Sequence, residues 1–270
     1  MPFAERDGTR LYWEEAGSGD PVLLIMGLGM NATGWWRTIP VLAEHHRVLA
    51  FDNRGVGRSD RPPGPYSVPM LADDAVAILD AAGEQSANVY GISLGGMIAQ
   101  EVVLRHAGRV RRLVLGATTA GGNLGVPAGE ATLAFFRRRG EMPAEEGVWA
   151  SVPYNYSPRT RREHGERISE DIAQRLRYPV ESAPYLAQLE AALGHDAARS
   201  LMSIEAPTLV VHGEADVMVP PANGERLAGA IPGAEHRTWP DTAHLYFTDE
   251  PDVDRHVAEW LRAGPTSRGV

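Results

Sequence analysis

The segment Val89-Tyr90-Gly91-Ile92-Ser93-Leu94-Gly95-Gly96 sets a serine among small residues, at the end of an apolar run and the start of a helical pattern. A serine hydroxyl is a weak nucleophile until a base takes its proton. The chemistry implied is therefore attack on a carbonyl through a covalent acyl intermediate. Gly-x-Ser-x-Gly recurs by chance in unrelated chains; the strand-to-helix setting singles this one out. A turn sharp enough to project the hydroxyl outward leaves no room for bulk two residues before or after it, and Gly91 and Gly95 meet that demand. A glycine-rich cofactor turn is the competing explanation, but Gly-x-Gly-x-x-Gly is absent at this turn.

The serine needs a base, and the base needs an orienting acid. In a strand–turn–helix nucleophile both partners follow in the chain, acid first. Asp216 is the candidate acid, because it lies in a loop just past an apolar run at 207–212. Glu214 competes with it and reads as a solvated turn residue, while Gly116-Ala117-Thr118-Thr119 offers no acid at all. Of the nine histidines, His244 is the candidate base, in a loop after an expected strand at 236–240. His212 falls inside a buried strand, and His45, His46, His106 and His256 sit before a strand or on helices. Two backbone N–H groups should hold the carbonyl oxygen as it gains charge: that of Leu94, directly after the serine, and that of Leu28 in the turn Met26-Gly27-Leu28-Gly29.

Elements at regular spacing must carry these loops. Short apolar runs at 11–15, 21–26, 47–51, 87–92 and 112–116 alternate with helical patterns at 70–82 and 95–106. That alternation predicts a parallel sheet with crossover helices. Strand patterns return at 207–212 and 236–240, and a closing helix is expected at 252–262, followed by a loose tail from 264. Between 118 and 206 the pattern changes to arginine runs, scattered aromatics and prolines, which reads as a helical insertion between two strands. The expected division is thus a core formed by 1–117 and 207–270 and a cap formed by 118–206.

Composition excludes more than it assigns. The 270 residues contain no cysteine, so disulfides, thiol nucleophiles and thiolate metal sites are ruled out. All 26 basic residues are arginine, which removes lysine Schiff bases and Ser–Lys dyads. The net charge of -9 argues against nucleic acid and anionic membranes as partners. The first residues lack the charged and apolar regions of a signal peptide, and no apolar stretch approaches a membrane span, so the expected location is the cytoplasm.

With nucleophile, acid and histidine in this order, the sequence resembles the α/β-hydrolase superfamily over nearly its whole length. Asp52-Asn53-Arg54-Gly55-Val56-Gly57-Arg58-Ser59 looks like that superfamily's mainly structural loop after an early strand. Gly-Ile-Ser-Leu-Gly-Gly-Met-Ile-Ala-Gln and the later Leu-Gly-Ala-Thr-Thr-Ala-Gly-Gly are similar to 3-oxoadipate enol-lactonases and related esterases. The Met26-Gly27 turn departs from the usual His-Gly start and looks more like polyketide methyl-ester hydrolases. The resemblance implies an α/β fold with an eight-stranded, mostly parallel sheet and a helical cap, without metal or organic cofactor. It further implies hydrolysis of a small-molecule carboxylic ester or lactone. A carbon–carbon bond hydrolase or cofactor-free perhydrolase would use the same triad, and a receptor-like binding protein with slow turnover is a third reading. An aspartate-nucleophile dehalogenase or epoxide hydrolase is disfavoured by Ser93.

Substrate selectivity should reside in the insertion. Trp35 and Trp36, just past the oxyanion turn, are placed to border the site, with one of them packing inward. Trp149 and Tyr154 are further pocket candidates, among aromatics (Phe135, Phe136, Tyr156, Tyr178, Tyr185) that read mostly as cap core. The runs Arg137-Arg138-Arg139 and Arg159, Arg161, Arg162 read as a solvated helix face, with carboxylate recognition as the alternative.

Overall fold

The computed structural model describes residues 3–263; the tail expected from 264 lies outside the described residues. Eight strands form one sheet: β1 (Phe3–Arg6), β2 (Thr9–Ala16), β3 (Asp20–Ile25), β4 (His46–Phe51), β5 (Ala87–Ile92), β6 (Val110–Gly116), β7 (Thr208–Gly213) and β8 (Glu235–Trp239). Their spatial order is β1-β2-β4-β3-β5-β6-β7-β8. The β1–β2 and β2–β4 pairs are antiparallel and every other pair is parallel. The mostly parallel eight-stranded sheet implied by the resemblance is therefore what the chain forms.

Strand β1 was not legible as an apolar run. It is a four-residue edge strand joined to β2 through Asp7 and Gly8, both at positive φ, the two-residue turn that matches strand twist.

Alternate strand residues serve opposite faces, as a sheet covered on both sides requires. Leu23 and Ile25 of β3 pack with one apolar cluster, whereas Val22 and Leu24 pack with the other. The first cluster lies under α2 (Val68–Ala81) and α3 (Leu94–Arg105); the second faces α1 (Thr38–Leu42) and α12 (Asp252–Arg262). Helix α2 starts where its sequence dictates: the Ser67 side chain accepts from the Met70 N–H, and proline occupies the first turn. Between β6 and β7 the chain is helical, with α4 (Glu130–Arg139), α5 (Ala144–Ala150), α6 (Val152–Asn155), α7 (Pro158–Glu163), α8 (Gly165–Arg175) and α9 (Ser182–Leu193). After β7 come α10 (Ala222–Ala230) and α11 (Tyr246–Asp249). Among the described residues no helix is long and apolar enough to cross a membrane.

Asp254, between α12 and α1, is a polar group inside this core. Both its carboxyl oxygens face the Thr38 hydroxyl, at 3.1 and 2.9 Å. Burial raises its pKa to about 7, and the Thr38 bond only partly opposes this. A carboxyl held protonated in the fold but free to ionise when unfolded stabilises fully below pH ~4, and that contribution declines as pH rises toward 7. Asp254→Asn is therefore expected to be more stable than the parent at pH 8, by roughly 2–4 kcal/mol. The gap should close as pH falls toward 4, as read by urea denaturation; a pH-independent difference would contradict this account.

Candidate active site

Ser93 follows β5 directly and opens α3 with φ 57° and ψ -123°. A non-glycine residue in that region is strained by roughly 1–3 kcal/mol, and only a surrounding structure that fixes it keeps it there. Its N–H donates to the Gly116 carbonyl at 2.8 Å, and its carbonyl accepts from Gly96 and Met97 N–H at 2.9 and 3.1 Å. The Thr118 hydroxyl donates to the same carbonyl at 2.7 Å. The small flanking residues are demanded by close approach: a Cβ on Gly91 would meet the Gly95 carbonyl oxygen at 2.1 Å, and one on Gly95 would meet that of Ile25 at 2.0 Å.

Asp216 lies in the loop after β7 and is fully enclosed. One carboxylate oxygen accepts from the Met218 and Val219 N–H groups at 2.8 and 3.0 Å. The other lies 2.8 Å from Nδ1 of His244. Burial alone would raise the Asp216 pKa; the charge on His244 and the bonds from His212 and His244 outweigh it and hold the value at about 2. A carboxylate ionised at all ordinary pH makes Nδ1 of His244 the proton-bearing nitrogen, so Nε2 is left to accept a proton. His244 itself follows β8 in a buried loop. Glu214 is exposed and accepts from Thr238, as its reading as a solvated turn residue anticipated.

Ser93, His244, Leu28 and Leu94 all line one cavity of ≈ 470 Å³. Leu94 begins α3, so its N–H has no carbonyl partner within the helix. Leu28 follows β3 in a turn that approaches the serine closely; a Cβ on Gly27 would lie 3.0 Å from Cβ of Ser93. Met26, Met97, Phe135, Phe136 and Leu189 supply an apolar wall, which suits the burial of an apolar body beside the Ser93 hydroxyl.

Four expected pocket residues do not line that cavity. Trp35 is completely buried in the apolar core, 4.9 Å from the Tyr90 ring and 5.4 Å from Phe247. Trp36 turns its indole N–H to Asp171 at 2.9 Å, beneath the Arg37 guanidinium. Trp149 is exposed on the insertion's outer surface. Tyr154 stacks on Phe135 at 4.1 Å, and of the two rings Phe135 is the one lining the cavity. Position along the chain could not separate the two sides of a helix, and inward residues Phe135, Phe136 and Tyr185 took the places assigned to the others.

Several supporting residues carried no signal in the sequence. His212 donates through Nε2 to the Val219 carbonyl at 2.9 Å and sits 3.5 Å from the Asp216 carboxylate, bracing the acid loop from within β7. Asp249 accepts from the Ala243 N–H at 2.7 Å and from Ser157, tying the histidine loop to the insertion. The loop after β4 acts as scaffold: Asn53 donates to the Met26 carbonyl at 3.0 Å, and Asp52 accepts from Ala32 and Arg58 N–H.

Gln188 of α9 spans the gap between insertion and core, accepting from the Gly29 N–H at 2.9 Å and donating to the Arg54 carbonyl at 3.0 Å. It is fully buried. Gln188→Leu would remove the partner of the Gly29 N–H at the cavity wall and leave the buried Arg54 carbonyl unpaired, the latter at about 1–3 kcal/mol. The expected outcome is a comparable fall in stability to denaturant, with a drop in kcat exceeding any change in KM, because the turn bearing Leu28 loses its brace. Unchanged stability would show that water replaces the amide.

Residues 20–251 match the family model for the alpha/beta hydrolase fold. The chain is 34% identical to RutD of Azorhizobium caulinodans, assigned as a carbamate hydrolase, over 94% of this chain and 95% of that protein. It is 30% identical to a 2-hydroxymuconate semialdehyde hydrolase of Pseudomonas sp. strain CF600, across 88% of this chain and 84% of the relative. Its structure superposes on an enol-lactonase from Burkholderia xenovorans LB400 with a TM-score of 0.86 at 26% identity, covering 97% of this chain and 100% of the other.

Proposed function

This chain belongs to the α/β-hydrolase family and is a hydrolase, and from that premise we propose that it cleaves a small-molecule carboxylic ester or lactone with Ser93, His244 and Asp216 as its triad. The observation that carries this reading is the 2.8 Å Asp216–His244 bond, opening with a left-handed Ser93 onto one cavity. Nε2 of His244 takes the Ser93 proton as Oγ attacks the carbonyl carbon. Asp216 fixes the tautomer and offsets the imidazolium charge. The Leu28 and Leu94 N–H groups hold the oxyanion, and each such donor typically contributes ~2.7–4 kcal/mol to the step. His244 then passes the proton to the leaving oxygen, and water, deprotonated by the same imidazole, releases the acyl group.

The test is turnover of matched lactones, methyl esters and aryl esters beside a carbamate and a vinylogous carbon–carbon substrate, with fluorophosphonate labelling of Ser93. Multiple turnovers on esters or lactones are expected. Labelling without turnover would point to a ligand-capturing protein, and preference for the carbon–carbon substrate would favour the activity that the Pseudomonas relative's name describes.

A further inference from the structure

Away from Ser93 and His244 the cavity lining is mostly apolar, with Thr119, Ser151, Asn155, Tyr185 and His195 as its neutral polar members and two arginines, Arg139 and Arg175, entering from the ends of α4 and α8. Among the described residues no aspartate or glutamate lines the cavity, in a chain whose acidic residues outnumber its basic ones by 35 to 26. Arg139 is only 5% exposed. Elsewhere a comparably buried arginine has a counter-ion: Arg54 meets the Asp74 carboxylate through two bonds of 2.7 and 2.6 Å. Among the described residues Arg139 forms no ion pair. What surrounds it is the Tyr185 ring, with the guanidinium 5.1 Å from its centroid, and the backbone of Gly147, where any Cβ would collide with the guanidinium.

Its position at the C-terminal end of α4 supplies about half an elementary negative charge, short of a full counter-ion. Arg175 adds to the imbalance. One of its nitrogens donates to the Ser151 hydroxyl at 3.1 Å, an oxygen that also receives Asn155. Burial and the nearby Arg175 both weaken the hold of Arg139 on its proton, yet a guanidinium stays charged in proteins. A buried cation left without a partner is costly unless something arrives to pair with it.

We propose that Arg139, assisted by Arg175, binds a carboxylate carried by the substrate apart from the bond that is cleaved. The planar fork of a guanidinium matches that group, and the apolar walls would hold the body between the two ends. The natural substrate is then an ester or lactone with a second, anionic terminus. This inference rests on the hydrolase reading of Ser93 for its kinetics, but the binding itself can be tested separately.

The experiment compares mono-p-nitrophenyl glutarate with p-nitrophenyl pentanoate, which differ only in the terminal carboxylate. The parent chain is expected to favour the anionic ester in kcat/KM by roughly 10- to 100-fold. Arg139→Met should lower that ratio at least tenfold, and Arg139→Lys should restore part of it. Pentanoate, whose only charge is its carboxylate, should also raise the thermal midpoint of the parent chain more than uncharged pentanamide does, a readout that needs no turnover. A kcat/KM ratio at or below one in the parent chain, or equal thermal shifts from pentanoate and pentanamide, would overturn the proposal. Failure to cleave either ester while pentanoate still stabilises would instead strike at the Ser93 mechanism and leave the arginine subsite standing.

Discussion

Ser93→Ala is expected to cut kcat by roughly 10⁶-fold while leaving the fold unchanged. Alanine keeps a Cβ, so the left-handed backbone at 93 is no more and no less strained than with serine. Thermal midpoints should agree, which assigns the loss to chemistry alone. Fluorophosphonate labelling should vanish with it. His244→Ala should cost about as much, and the double variant scarcely more, because a nucleophile and its base act as a unit. A residual acceleration of 10³- to 10⁴-fold over water, from the oxyanion donors and binding, is the typical remainder. Turnover by Ser93→Ala at even a tenth of the parent rate would remove Ser93 from the mechanism.

Asp216→Asn is expected to cost ~10⁴ in kcat, and the hydrogen bonds dictate why. Two backbone donors, Met218 and Val219, converge on one oxygen of the Asp216 side chain. An asparagine must keep its carbonyl there, which turns its NH₂ toward His244. Nδ1 of the imidazole is then forced to accept, Nε2 carries the proton, and the ring can no longer take one from Ser93. KM should move little. In the parent chain the depressed Asp216 pKa adds stability that is complete above pH ~4 and is lost as pH falls through about 2. The variant should lack that part of its acid sensitivity, so denaturation midpoints recorded between pH 5 and 2 provide a second check. A full-rate Asp216→Asn enzyme would mean that another group orients the histidine.

The fold was readable because the strands of the sheet's middle each carry a short run of apolar residues, and because the stretch at 70–82 has apolar residues at helical spacing and stops at Gly83. The Ser67 cap and the proline in the first turn, which set the start two residues earlier, lay outside that pattern. The hidden parts are those decided by distance. Strand β1 has too few residues for periodicity, although Asp7-Gly8 advertised its turn. The serine, acid and histidine were legible since each sits just past a strand end in a fixed order. Gln188, His212 and Asp249 were not, since a polar side chain on a helix or inside a strand has many possible partners and the sequence names none. The same limit holds in the insertion, where the arginine run reads as one solvated face or as a carboxylate site: three successive residues on a helix point in different directions, and Arg137 and Arg138 face water while Arg139 turns inward.

The strut from Gln188 to Gly29 and Arg54 has a consequence for redesign. The helices between β6 and β7 look like an exchangeable lid, and swapping them between homologues would be the natural way to transplant selectivity. Here one of those helices also holds the turn whose Leu28 N–H is the proposed oxyanion donor. A chimera that imports foreign helices without a matching amide would gain a new pocket and lose catalytic power in the same step. Recombination breakpoints should therefore travel with both ends of that strut.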